Sequence, residues 1–272
     1  MGMHMISPGA SVLEVVEEVE DFIRKRAFPA FPVNVGIGSV AAHFTPSSGD
    51  SMRFPRSGVV KFDVGVHVEG YIADTAGTVS LGGSNPRLVQ ASKDALESAI
   101  VLVRPGAGLR SIGLAIENVI KSAGFKPISN LTGHSIDRFN LHAGFSVYNT
   151  GNFERDEAIP DSIVIAVEPF ATDGQGYVVS GKSGNIFSLI RRKRVPDEEL
   201  NMFQQLIEER YSTLPFAERW LQDVEKRNEM LRKLVRLKVL HSYEILMEAG
   251  GGAVSQWEHT LIVDDEGTVV TT

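Results

Sequence analysis

The chain has 272 residues, 43% hydrophobic and 22% charged, with no cysteine and a net charge of −7. That length buries roughly 70–75% of the unfolded surface, so a core forms without disulfides, and the composition excludes disorder. Lack of cysteine excludes thiol catalysis, Cys-ligated zinc and iron–sulfur clusters and suits a reducing compartment, while the acidic balance opposes DNA and general nucleic-acid binding. No apolar run reaches the ~18 residues that span a bilayer. The N-terminus turns acidic by Glu14 instead of running basic then apolar like a secretion signal. The expectation is a cytoplasmic protein with no membrane partner.

The first element is a helix from about Val12 to Arg26: Ser11 and Glu14 have capping-box spacing, and Leu13, Val16, Val19 and Ile23 repeat on one face. Pro29 and Pro32 punctuate the chain, and PVNVGIGSVAAHFTP follows, whose two glycines do not make a nucleotide fingerprint. From Gly58 to Ser80 the residues are those of strands, and Glu69-Gly70 marks a turn, which gives an antiparallel hairpin. Asn85 and Pro86 then open a helix to about Val103, and a second runs from Arg110 to Ala123 and stops at Gly124. Strands and loops return over about 127–190, with IVIAVEPFAT the most apolar strand. After RRKR (Arg191–Arg194), Leu200, Phe203, Leu206, Ile207 and Tyr211, then Leu231, Leu234 and Val235, keep helical spacing. Strand patterning resumes in AVSQWEHTLIV. This order predicts one α+β domain over 1–272 with a helical insertion at 192–248, and no Gly/Ser-rich linker divides it.

The chemistry starts in the hairpin. With Val68 and Glu69 as a two-residue loop, Asp63 stands directly opposite Asp74, with Cβ atoms about 5 Å apart. Like charges so placed repel unless a cation or proton intervenes. No Lys or Arg is expected beside either aspartate on that face, which favours a cation. Glu168 in VIAVEPFA and Glu258 in SQWEHTLIV lie in apolar strands, and His134 lies in LTGHSI. Singly, each is more often a hydrogen-bonded core or edge residue than a ligand. Together, four carboxylates and one imidazole suit two divalent ions, and oxygen-rich ligation favours manganese, iron or cobalt over structural zinc. Other histidines read as structural: His4 in a Met-rich start, His67 near the turn, and His259, which alternates away from Glu258.

VVKFDVGVHVEGYIADTAGTV, LTGHSIDRFNLHAG, VEPFAT and SQWEHTLIV, with AAHFTP upstream, resemble in order the motifs of methionine aminopeptidases. The resemblance runs from Val12 to Val263. It is closest to type II, which carries a helical insertion before the last ligand, in the archaeal-like form with a short N-terminus. It implies a pita-bread fold with pseudo-twofold halves around a metal centre. On the matching positions, Asp63, Asp74, His134, Glu168 and Glu258 hold two divalent ions, with Asp74 and Glu258 bridging. His43 and His142 contact substrate, and Phe31, Leu141, Phe170 and Tyr243, with Ile186 and Pro215, line a methionine pocket.

The implied reaction removes N-terminal methionine from nascent proteins and peptides ahead of a small second residue. The metals activate water, Glu168 shuttles the proton, His142 donates to the oxyanion, and His43 bonds the peptide group beyond the scissile bond. A monomer is expected. The RRKR run would face ribosomal RNA, although acidic residues interleave that block and a solvated face is the plainer reading. A proline-specific dipeptidase shares the ligand pattern but usually has a further N-terminal domain. A binding-only relative of the fold would have lost its ligands.

Overall fold

Ser11, in extended conformation, accepts a hydrogen bond from the Glu14 amide and opens α1 (Val12–Arg24). These positions belong to a computed structural model that describes residues 2–153 and 156–272. Val12, Val15, Val16, Val19 and Ile23 form the buried stripe of α1, shifted slightly from the expected one because Leu13 is only half-buried. The same face buries one carboxylate, Glu20. Of the two glycines before AAHFTP, Gly36 lies in β1 (Asn34–Ile37) and Gly38 in the turn to β2 (Val40–Ala42), which joins a different sheet.

The long hairpin comprises β3 (Gly58–Val68) and β4 (Tyr71–Leu81). Its loop is Glu69-Gly70, not Val68-Glu69, and Val68 pairs with Tyr71. The physical reason is the turn: both loop residues take positive φ, 51° and 89°, as a type I′ connection requires. β-Branched Val68 resists that conformation, whereas Gly70 adopts it freely. The register therefore shifts by two: Asp74 faces Gly65 and Asp63 faces Ala76. An even shift keeps both aspartates on one face of the sheet. β3 also pairs with β1, and α1 packs on these strands through Val16, Val19, Val35, Val60 and Phe62.

The second half starts with α2 (Pro86–Ile100) and α3 (Leu109–Ser122). Asn85 stands at the cap position of α2 but takes left-handed φ and makes no side-chain cap; its amide donates to Asp173 Oδ2 at 2.7 Å. The following strands are β5 (Thr132–Ile136), β6 (Ser146–Tyr148), β7 (Ile163–Val167), β8 (Phe170–Thr172) and β9 (Val178–Leu189). The expected single strand IVIAVEPFAT is thus two strands in different sheets, broken at Glu168-Pro169, where proline removes a ladder donor.

Next come α4 (Glu198–Tyr211), capped by Asp197, a 3₁₀ turn at Glu218–Leu221, and α5 (Arg227–Arg236). Leu200, Phe203, Ile207, Leu231 and Leu234 give this block its own buried cluster. Of residues 192–248, expected to be helical, the last nine form a strand, β10 (Leu240–Glu248), paired with β9 and β2. The chain continues through β11 (Val254–Gln256), β12 (His259–Asp264) and β13 (Gly267–Val270).

A five-stranded sheet in the order β13-β12-β7-β5-β6 packs against α2 and α3 through Leu96, Ile112, Ile116, Ile165 and Leu261. Each half is therefore antiparallel sheet backed by helix, and the site lies where β3 and β4 meet β5, β7 and β12. Among the described residues no helix is long and apolar enough to cross a membrane.

Candidate active site

Threonines join the halves. Thr260 Oγ1 accepts from the Asp74 amide at 2.7 Å and lies 2.8 Å from the Asp74 carbonyl. Thr75 Oγ1 donates to the Glu258 carbonyl at 2.9 Å, and the Glu258 amide donates to the Ala76 carbonyl. Glu258 is thereby set beside Asp74, although about two thirds of the chain separates them. His134, in the middle of β5, pairs across to Ala166 of β7, two residues before Glu168. His134 Nε2 lies 3.8 Å from Asp74 Oδ2 and 3.7 Å from Glu168 Oε1. Thus the five residues singled out in the sequence converge on one point. Gln256, which the sequence reading passed over, is buried there as well. Its Nε2 lies 3.1 Å from both Glu168 Oε2 and Glu258 Oε2. The available signal was spacing, because Gln256 stands two residues before Glu258 and shares its side of the chain.

The carboxylates cannot all be charged in this setting without a cation. Burial, then the Asp63 and Glu168 charges, push Asp74 well above the carboxylate range. Burial followed by Asp74, Glu168 and Asp63 does the same to Glu258, and burial with Asp63 does it to Glu168. Burial lifts Asp63 to about 7, opposed by a hydrogen bond from Asp74 and by Lys61. Lys61 corrects the expectation that no basic residue shares this face. It lies two residues before Asp63, is buried, and bonds the Val40 carbonyl; burial pulls its pKa down to about 7.

Asp63 Oδ1, Asp74 Oδ1 and Glu258 Oε1 are buried without a hydrogen-bond partner. Asp74, His134 and Glu258 offer ligand atoms all within 4.8 Å of one another. Orphaned hard oxygens with one imidazole fit divalent cations.

A cleft of about 340 Å³ opens over this cluster. Its walls include every expected site residue: the five above, His43, His142, Phe31, Leu141, Phe170, Ile186, Pro215 and Tyr243. His142 is exposed to the cleft, its ring edge-on to His134 at 4.4 Å between centroids; the cleft walls and nearby His43 lower its pKa. His43 Nδ1 lies 3.1 Å from the Glu244 carbonyl, and burial lowers its pKa. Its φ of 64° is in the left-handed region. The Phe31 ring packs against Gly65: a Cβ there would stand 2.1 Å from its Cε1, so glycine opposite Asp74 makes room for the ring.

A second cleft of about 490 Å³ lies beyond Pro215, between α1 and the helical block. Its arginines are already paired, Arg24 with Asp21, Arg210 with Asp223, and Arg219 with Glu20. Of the remaining histidines, His241 packs edge-on against the cleft residue Tyr243 at 4.6 Å between centroids, and the others stand apart. His67 accepts from the Gly70 amide and stacks on Phe28, and His259 Nδ1 lies 3.0 Å from Thr272 Oγ1. His4 is exposed in a one-turn helix at Gly2–Met5. Arg191–Arg194 are all exposed, and Arg192 pairs with Glu208.

The model of metallopeptidase family M24 matches residues 1–265. The chain belongs to metallopeptidase family M24. An M24 relative from Archaeoglobus fulgidus, a methionine aminopeptidase, is 47% identical over 98% of this chain and 91% of its own. Among solved structures, a thermophilic Arx1 superposes with a TM-score of 0.86 at 17% identity, over 99% of this chain and 85% of that one. The methionine aminopeptidase of Thermotoga maritima gives 0.67 at 20% identity, over 98% and 87%. At these identities the structures speak for a shared fold: the M24 pita-bread fold, with paired halves around the cleft.

Proposed function

We propose that the protein is a metal-dependent aminopeptidase that removes N-terminal methionine from peptides and nascent proteins with a small second residue. Asp63, Asp74, His134, Glu168 and Glu258 hold two divalent ions, of cobalt, manganese or iron. The observation that carries this reading is the set of partnerless buried carboxylate oxygens at the base of a cleft walled by Phe31, Leu141 and Phe170.

When bound, the metal pair supplies Lewis-acid polarisation of the scissile carbonyl and makes water more acidic. Glu168 takes the proton of the attacking water and passes it to the leaving amine, a role served by a carboxylate whose surroundings raise its proton affinity. Gln256 holds the other oxygen of Glu168, so Oε1 is the one left towards His134 and the cleft. His142 donates a hydrogen bond to the carbonyl oxygen as negative charge develops there.

Burial keeps His43 neutral, and a ring that donates Nδ1–H to Glu244 presents Nε2 as an acceptor for the next peptide N–H. The apolar walls take the methionine side chain. Action as a cytoplasmic monomer belongs to the same reading, and the exposed Arg191–Arg194 run is where ribosomal RNA would make contact.

The test is hydrolysis of Met-Ala-Ser by metal-stripped protein before and after Mn²⁺ or Co²⁺, with Leu- and Pro-led peptides and Ala-Pro alongside. Metal-dependent release of methionine alone is expected. Cleavage of Ala-Pro in its place moves the chain to the proline-dipeptidase branch. Silence on every peptide despite bound metal favours a binding-only protein.

A further inference from the structure

Away from the metal cluster, Glu20 of α1 and Arg219 of the 3₁₀ turn form a deeply buried ion pair, both side chains 1% exposed. A fully buried pair is weak evidence for stability, because desolvation offsets the attraction; its partners show what else it does. Glu20 Oε1 also accepts from the Val33 amide at 3.1 Å, and Oε2 from Trp220 Nε1 at 2.7 Å. Arg219 Nη1 donates to Thr45 Oγ1 at 2.9 Å and to the Pro46 carbonyl at 3.1 Å. Thr45 Oγ1 in turn donates to the Val33 carbonyl at 2.8 Å.

One guanidinium therefore fastens two stretches of the cleft wall: the residues after Phe31, and the residues after His43. Thr45 is fully buried and stands two residues beyond His43, whose backbone is left-handed without being glycine. Such a conformation persists only where the surroundings over-determine it. Close to His43, the fixed points are the Glu244 carbonyl and Tyr243 on its ring, the Val35 amide on the Phe44 carbonyl, and the Thr45–Pro46 segment, held by Arg219 and by Asn185.

The geometry points to Arg219 as a positioning residue that, through Thr45, sets the His43 ring at the substrate. This rests on the reading of His43 as a substrate contact. Arginine suits the task and lysine does not, because only the fork reaches Glu20 with one arm and Thr45 with the other.

Two variants test it in the metal-loaded enzyme. Arg219→Lys keeps the charge beside Glu20 and loses the second arm. Thr45→Val leaves the ion pair intact and removes the receiving hydroxyl, so it carries the test if the lysine variant fails to fold. Each is expected to shift the His43 ring resonance in NMR and to lower kcat/KM on Met-Ala-Ser about tenfold. In a His43→Ala background the same changes should cost less than about twofold, because residues acting through one another are not additive. A full tenfold cost in that background, or an unmoved His43 resonance, overturns the proposal. If His43→Ala by itself leaves turnover unchanged, the substrate role of His43 fails, and the ring resonance alone still decides whether Arg219 positions it.

Discussion

Gly65→Ala tests whether Phe31 shapes the methionine pocket. Gly65 lies in regular strand opposite Asp74, so alanine suits its backbone; the conflict is with a side chain. The new Cβ would meet Phe31 Cε1 at 2.1 Å, Cδ1 at 2.5 Å and Cζ at 2.8 Å. Carbon atoms rest at about 3.5–4.0 Å, so the ring must retreat by roughly 1.5 Å. Ala30, Ile72, Ile136, Leu141 and Ala166 pack around it, and the open side is the cleft. The displaced ring would fill space on the order of one methylene, a change that costs roughly 10–200-fold in kcat/KM in apolar pockets.

Steady-state hydrolysis of Met-Ala-Ser should accordingly fall by roughly 10–100-fold in kcat/KM. Norvaline-Ala-Ser, with a shorter first side chain, should fall less. Metal content measured on the same sample separates this effect from damage at Asp74. A folded, metal-replete variant with the wild-type ratio of the two peptides would remove Phe31 from the pocket wall.

Other changes separate the roles within the cluster. His142→Ala should retain two metals per chain and lose roughly 10²–10³-fold in turnover, and an unchanged turnover number would take it out of oxyanion stabilisation. Asp74→Asn should disturb metal occupancy itself, because a bridging carboxylate serves both ions; full dinuclear occupancy by elemental analysis would contradict bridging. In metal-stripped protein the carboxylate cluster should contribute a loss of stability as pH rises from about 4 towards 7, offset in part by the buried His43, His134 and His142, whose lowered pKa values act the other way. Folding holds Asp63 up at about 7 and Asp74, Glu168 and Glu258 above their usual range, so in that window the unfolded chain releases protons that the folded chain keeps. In a chelator, an Asp74→Asn variant whose melting temperature varies with pH just as the wild type's does would refute the argument, and added Mn²⁺ should flatten the carboxylate contribution.

Much of the site was legible because its residues break local rules: carboxylates in apolar strands announce a missing partner. The aspartate register was not, because the choice between two loop positions turned on which residues tolerate positive φ, and Gly70 decided it. Lys61 was passed over although its parity with Asp63 was readable, since a lysine in a strand ordinarily reads as solvent-facing. The strand Leu240–Glu248 was hidden by its position straight after two amphipathic helices, and its half-buried residues give little alternation. Glu20 and Arg219 each looked like an ordinary charge on an amphipathic segment. Their pairing spans 199 residues, and no local pattern reports that.

The threonine seam between β4 and the segment Gln256–Thr260 has a thermodynamic corollary. Asp63 and Asp74 come from one half of the chain, and Glu258 reaches them only through contacts such as Thr260 to Asp74 and Thr78 to Gln256. On the proposed ligand set neither half alone is complete, so bound cations would act as a clasp between the halves and their affinity would be part of the cohesion of the whole molecule. Opening the seam and emptying the centre would then be one event, leaving no half-folded state that keeps activity.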